Sequence, residues 1–314
     1  MQRLLTTLML IGAPWPAGAQ IDLNPPKGPS VIAVDVDLVN LLCSVRDKQG
    51  KYIKGLNKED FEIKQDGKRQ AITHFAHEVE SPMTVALLLD VSGSVSYILG
   101  TEKAAAGRFF DEVLRPGDQA LLVGFAQLIA VWQELTPSKE LLHSALDRAG
   151  QAALPNGPET RPRGGTLLYD AVSLVASQKL QRLPGRKTII LITDGQDNGS
   201  IANIAKAVKA AHEADAVVYG IHYVDDEFGS SRRDGMSALQ KLSEPTGGRA
   251  FHVSPKLPLG TVFTEIGEEM RNQYGLGFTP PADGKDGEFH KLAVSTTKAG
   301  LKVQARTGYY SGRR

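Results

Sequence analysis

The chain has a single cysteine, Cys43, among its 314 residues. That excludes an intramolecular disulfide and leaves too few thiolates for a sulfur-bound metal centre, so stability has to come from packing. Cys43 lies in an apolar stretch and reads as a small buried residue. Charge of one sign is also missing. The net charge is +1, with Lys and Arg scattered among acids, so no basic stripe speaks for nucleic acid or an anionic membrane surface. The 7 histidines are dispersed, without an H-x-x-x-H or H-E-x-x-H pattern, so zinc hydrolysis lacks ligands. G-x-G-x-x-G and the P-loop are absent, and "SGSVS" is not the G-x-S-x-G of a nucleophile elbow. An acid pair for phosphoryl transfer is missing too, because "DVSGS" has only one aspartate. No repeat or low-complexity tract occurs.

What is present begins with an export signal. "MQRLLTTLMLIGAPWPAGAQ" carries Arg3, an apolar stretch to Ile11, and the small residues Ala17-Gly18-Ala19. This pattern predicts a signal peptide over 1–19, cleaved after Ala19, and a periplasmic or extracellular product. Pro14 and Pro16 keep the apolar run well short of the roughly 20 residues of a membrane span. No second candidate span follows.

Residues 31–79 read as β-structure. "VIAVDVDLVNLLCSVRD" alternates through Val34, Val36 and Leu38, then slips phase to Val39, Leu41, Cys43 and Val45, which predicts a bulge or two strands. Asp66-Gly67 is a hairpin signal between "FEI" and "AITHFA". From 82 to 273 the pattern changes. Compact apolar strands ("MTVALLLD", "QALLVGF", "KTIILIT", "AVVYGIHY") alternate with helical stretches, the signature of a doubly wound, mostly parallel α/β sheet, Rossmann-like in class. "LIAVWQEL" follows a strand too closely for a crossover helix and is predicted to pair antiparallel at a sheet edge. In "SIANIAKAVKAAHEADA", Ile201, Ile204, Ala205 and Val208 are predicted to face the core. Thr136 is the predicted N-cap of the helix in "LTPSKELLHSALDRA", with Pro137 in its first turn. Residues 274–314 return to alternation. The two β flanks, 20–81 and 274–314, are each marginal alone, so they are expected to join into one small β-sandwich with the α/β domain inserted between them. Two independent β modules are the alternative.

Three loops should meet at the carboxyl ends of the central strands. One is Asp90-Val91-Ser92-Gly93-Ser94; another is "RGGTLLYDA", where Gly164 and Gly165 present Thr166. The last is "LITDGQDN", where Asp194 follows its strand. Together they offer two carboxylates and three hydroxyls, hard oxygen donors that suit Mg²⁺, Mn²⁺ or Ca²⁺ and not zinc. Each hydroxyl also has a plainer reading as a helix cap. Asp170 and Asp197 are expected as helix-surface or loop acids or as residues that orient the ligands, and Gly93 as the residue that permits the turn between the serines. Residues 223–236, "YVDDEFGSSRRDGM", read as a loop at the same edge.

In order and context, Asp90, Ser92, Ser94, Thr166 and Asp194 resemble the metal-ion-dependent adhesion site (MIDAS) of von Willebrand factor A (VWA) domains, D-x-S-x-S…T…D. "GKYIKGLNKEDFEIKQDGKRQAITHF" and "LKVQARTGYY" resemble the flanks of a bacterial VWFA-related family of the Acidobacterial type, so nearly the whole mature chain is covered. The resemblance implies one divalent cation, most simply Mg²⁺. The hydroxyls would bind it directly, the aspartates partly through water, and one position would stay open for the Asp or Glu of a protein partner. It therefore implies a non-enzymatic adhesion module. The alternatives are a scaffold whose ion only stabilises the fold and, further off, a metal-dependent hydrolase.

Overall fold

The computed structural model describes residues 38–77, 81–93, 99–149, 165–224, 231–281 and 285–312. The predicted export segment, the first half of the 31–45 alternation and Ser94 lie outside them.

Eight-residue β5 (Met83–Asp90) is buried along its whole length, as a central strand covered on both faces must be. It pairs in parallel with β6 (Gln119–Phe125) on one side and β8 (Arg186–Thr193) on the other. β9 (Ala216–His222) and β10 (Ala250–His252) continue beyond β8. β7 (Ile129–Thr136) closes the far edge antiparallel to β6, giving the order β10-β9-β8-β5-β6-β7. The edge pairing read from "LIAVWQEL" is thus present.

Strand alternation splits the core into two layers. Val85, Leu87 and Leu89 pack with α1 (Leu99–Val113), α2 (Lys139–Arg148) and α6 (Leu259–Arg271). Ala86 and Leu88 pack with α3 (Leu168–Leu174), α4 (Ile204–Glu213) and α5 (Ser231–Ser243).

The flanking strands form two further four-stranded sheets. β1 (Val39–Arg46) lies between β11 (Gln273–Phe278) and β13 (Lys302–Ala305), with β4 (His74–His77) beyond β11. β12 (Phe289–Thr296) lies between β2 (Phe61–Gln65) and β14 (Gly308–Tyr310), with β3 (Lys68–Gln70) beyond β2. Each sheet therefore mixes strands from both ends of the chain. Val39, Leu41, Cys43 and Val45 point into a shared core with Phe61, Ile63, Tyr274 and Leu292, the second phase of the predicted alternation. Burial raises the Cys43 thiol pKa far above its usual range, as an inert core residue requires. Asp66 and Gly67 both have positive φ, at 50° and 82°, the geometry of the two-residue hairpin turn that Asp-Gly favours.

Two helix starts differ from their sequence reading. Thr136 ends β7, and Ser138 is the N-cap of α2, its hydroxyl accepting the Leu141 N–H at 3.2 Å. The strand keeps Thr136 in its ladder opposite Ala120, which moves the cap beyond Pro137. α4 begins after Asn203, whose side chain caps Lys206 at 3.0 Å. The buried face therefore runs through Ala207 and Ala211, while Ala205 is exposed and Ile201 stands outside the helix at 91% exposure. Residues 231–236 open α5, so the predicted loop from 223 is shorter than expected.

His212 of α4 packs against the sandwich. Its ring stacks on Phe289 at 6.0 Å and its Nε2 lies 2.8 Å from the Pro245 carbonyl. Burial holds its pKa below 6.5. The unfolded chain then takes up the proton first, so stability is full above pH ~6.5 and is lost as pH falls from there through the folded-state pKa. His212→Gln keeps a donor for the carbonyl and is expected to flatten this loss. Urea midpoints of the two proteins between pH 7 and 5 provide the check, and parallel curves would refute it.

Candidate metal centre

β5 opens the central sheet. From it the chain crosses to β6 on one side and reaches β8 on the other, so the loops after β5 and β8 diverge where doubly wound sheets bind ligands. Asp90 ends β5 fully buried. Its Oδ1 accepts the Ser92 N–H at 2.9 Å, and its Oδ2 accepts the Thr193 hydroxyl at 2.6 Å. Burial is the main cause that pushes the Asp90 carboxyl up to about 6; the charge of Asp194 adds to it, and the hydrogen bonds oppose it.

Thr193 Oγ1 also accepts the Gly195 N–H at 3.1 Å, and Asp194 Oδ1 accepts the Gln196 N–H at 2.9 Å. The Asp194-Gly195 turn needs its glycine. Gly195 has φ +77°, and a Cβ there would come 2.4 Å from the Gly235 carbonyl oxygen of α5.

The Thr166 loop is held against the β8 loop by paired contacts. The Thr166 N–H donates to Asn198 Oδ1 at 2.6 Å, and its carbonyl accepts the Asn198 N–H at 3.3 Å. Asp197 Oδ1 accepts the Leu168 N–H at 3.1 Å and the Ser200 hydroxyl at 2.7 Å. Asp170 accepts the backbone N–H groups of Ile201 and Ala202 at 2.9 and 2.8 Å. Asp170 and Asp197 therefore clamp two loops together, and neither lines the pocket between them. Because Asp197 supplies the acceptor at the start of α3 and residue 167 makes no side-chain cap bond, the Thr166 hydroxyl is not used as a cap.

Ser92, Gly93, Thr166 and Asn198 share the wall of a shallow pocket of about 170 Å³, together with Gly165, Ala126 and Gln127. Gly93 has no positive φ, and nothing stands within 4 Å of where its Cβ would be. The turn into Ser94, for which the sequence reading expected a glycine, runs outside the described residues. Ser94 and Gly164 are outside the described residues.

The chemistry of this donor set fits a hard divalent ion. It is rich in hydroxyls, and correspondingly the described residues gather no three His, Cys, Asp or Glu side chains within metal-binding reach. A further acid lies close by. Glu102 on α1 is fully buried, and neither of its carboxylate oxygens has a hydrogen-bond partner. Burial first, and the charge of Asp90 second, push its carboxyl up to about 8.

The sequence profile of the von Willebrand factor type A domain matches residues 84–263. This chain belongs to that family. The matched span runs from β5 to α6 and holds Asp90, Ser92, Ser94, Thr166 and Asp194. No match occurs among curated proteins. Similar solved structures include the conserved hypothetical protein BatB from Bacteroides thetaiotaomicron, 20% identical over 60% of this chain and 99% of that one, with a TM-score of 0.46. Proximal thread matrix protein 1 from the mussel byssus is 18% identical over 62% of this chain and 50% of its own, at 0.47. A von Willebrand factor type A protein from Catenulispora acidiphila is 16% identical over 80% and 72%, at 0.48. Family membership rests on the profile match, not on these distant likenesses.

Sequence reasoning missed Thr193, Asn198 and Glu102. It also missed that His222 and His252 meet, with their Nδ1 atoms 3.0 Å apart. They are direct partners in the parallel β9–β10 pairing, a neighbour relation that spacing along the chain does not reveal.

Proposed function

We propose that this VWA protein is an exported, non-enzymatic binding module. One divalent cation, most simply Mg²⁺, is held by Asp90, Ser92, Ser94, Thr166 and Asp194. Its open position takes an Asp or Glu carboxylate from a protein partner. The observation that carries the reading is the meeting of Ser92 and Thr166, from loops more than 70 positions apart, on one pocket wall, with the Ser92 N–H held by the buried Asp90. Neutral hydroxyls leave the ion under-neutralised, and that favours an incoming anion over turnover. Export is supported by the residue pattern at 1–19. Among the described residues no helix is long and apolar enough to cross a membrane.

Exposed apolar side chains follow the pocket-lining residues along the chain. Ile201 and Leu128, at 91% and 46% exposure, are two of the exposed large hydrophobics, and both follow closely on pocket-lining residues. An acid flanked by apolar side chains is the complementary partner surface.

The test is a pull-down from the native envelope with Mg²⁺ and again with EDTA. A partner is expected to be retained only with Mg²⁺ and lost when its own contact acid is amidated by mutation. Retention that is indifferent to EDTA would overturn the reading, as would chelator-sensitive turnover in an activity screen with Mg²⁺ or Mn²⁺. Against an identified partner, Ile201→Ser is expected to weaken binding about tenfold, the effect of roughly 1.4 kcal/mol at an interface. Its melting temperature should not change, since the residue buries almost nothing within the chain. Unaltered affinity would exclude Ile201 from the contact.

A further inference from the structure

Cationic side chains that are scattered along the sequence gather at one place in space. Arg46 ends β1, and Lys51 and Lys54 follow in and after its turn. Arg115 lies in the link between α1 and β6, Arg249 just before β10, and Arg271 at the end of α6. All six line one open cleft of about 860 Å³, a size that suits a small-molecule ligand. Among the described residues its carboxylates are Glu265 and Glu268.

Arg249 is already neutralised, donating through Nε to Glu269 at 2.8 Å and through Nη2 to Glu265 at 3.2 Å. The other five cations form no ion pair among the described residues. Arg46 donates to the neutral Gln304 side chain at 2.6 Å, and Arg271 to the Glu112 carbonyl at the end of α1 at 2.7 Å. Arg271 thus serves a helix end. Lys51, Lys54 and Arg115 have exposed side chains with no such role. Like charges around one concavity repel, and the concave wall focuses their field. An anion in the cleft removes that cost.

The walls are fixed before any ligand arrives. Asp47 Oδ1 accepts the N–H groups of Gln49 and Lys51, both at 2.9 Å, and Gly50 at φ 88° closes the turn. The Tyr52 hydroxyl donates to Glu269 at 3.0 Å and accepts Arg249 Nη2 at 3.2 Å. Little ordering therefore remains to oppose binding. The cleft sits at the amino ends of the parallel strands, where α1 returns to β6 and Arg186, the first residue of β8, donates to the Met270 carbonyl of α6 at 2.6 Å. It shares no lining residue with the Ser92–Thr166 pocket.

We propose that this cleft binds a compact polyanion, a small molecule carrying two or more phosphate or carboxylate groups. Arg46, Lys51 and Lys54 stand on the sandwich side, Arg115 and Arg271 on the α/β side. One anionic group cannot serve both, whereas a molecule with two bridges them, and guanidinium forks suit either oxyanion.

The experiment is calorimetric titration of the purified full-length chain, passed over a chelating resin so that no divalent ion takes part. Citrate is the carboxylate probe and inorganic pyrophosphate the phosphate probe. Saturable binding of at least one is expected at low ionic strength, weakening as salt is added. Lys54→Gln and Arg115→Gln, one from each side, are each expected to lose about tenfold in affinity, the effect of one charge-assisted hydrogen bond. The melting temperature of the unliganded variants should match the wild type. Lys206→Gln removes the same charge from the exposed face of α4 and should bind as wild type does. Absence of saturable binding by both probes would overturn the proposal, as would wild-type affinity in both cleft variants. An equal loss in Lys206→Gln would reduce the effect to net charge and overturn it too. Binding of polyglutamate but of neither small anion would make the cleft a contact for an acidic protein, against the proposal.

Discussion

Asp90→Ala is expected to abolish divalent-cation binding while leaving the protein folded. With the ion at 100 times its Kd, the wild-type chain gains about 2.7 kcal/mol of stability; the variant should gain none. Calorimetric titration with Mg²⁺ should show a loss beyond the roughly 100-fold that removing an outer-sphere group costs. Asp90 fixes the Ser92 loop through one oxygen and Thr193 through the other, so it supplies both charge and shape. The unliganded fold should tolerate the change because two effects oppose each other. The Thr193 hydroxyl loses its acceptor, which costs about 1–3 kcal/mol. A desolvated carboxylate also disappears, and a rise in pKa from 3.8 to about 6 corresponds to about 3 kcal/mol. Melting in EDTA should therefore shift by only a few degrees. A collapse of the variant in EDTA would instead make Asp90 a structural residue. Full Mg²⁺ stabilisation of the variant would remove the cation from the proposal.

The features readable along the chain are those set by local periodicity. Continuous apolar runs marked β5, β6, β8 and β9 as strands covered on both faces, and the short gap before Ile129 marked the antiparallel edge. Phase within the Val39–Val45 alternation identified the core-facing side of β1. The loops proposed to hold the cation could be picked out because each follows an apolar strand or a Gly pair ahead of a helix, and the structure brings Ser92 and Thr166 of two of them to one pocket. Failures came where a choice between equivalent signals was settled in three dimensions. Thr136 and Ser138 are both good caps, and the β6–β7 ladder decided between them. Ile201 fits the helical stripe, but Asn203 caps first and Asp170 holds the Ile201 N–H in the loop. Glu102 was visible as an acid on an apolar stripe, yet only its burial and its empty hydrogen-bonding positions make that anomaly meaningful. Thr193, whose hydroxyl joins Asp90 to the β8 turn, looked like one more strand residue.

Glu269→Ala is expected to be the most destabilising single change, with no effect at the cation site. Glu269 lies on α6 with its side chain 1% exposed. It accepts Arg249 Nε at 2.8 Å, the Tyr52 hydroxyl at 3.0 Å and the Ser44 hydroxyl at 3.1 Å. Ser44 belongs to β1 of the sandwich, while Arg249 leads into β10 of the α/β sheet, so one carboxylate joins the two parts of the fold. Removing it leaves two hydroxyls and Arg249 Nε without their acceptor, while Arg249 keeps Glu265 at 3.2 Å, so the cost falls at the low end of the roughly 3–5 kcal/mol of a broken buried pair. Guanidinium unfolding should show that loss, and hydrogen exchange should show β1 amides opening earlier than in the wild type. Glu269→Gln keeps an acceptor for Ser44 and Tyr52 and should cost less. None of these partners is shared with Asp90, so the double variant with Asp90→Ala should be additive within about 0.5 kcal/mol. A larger coupling would mean that the cation loop and the sandwich junction respond to each other through α6, and the site would then be mechanically linked to its base.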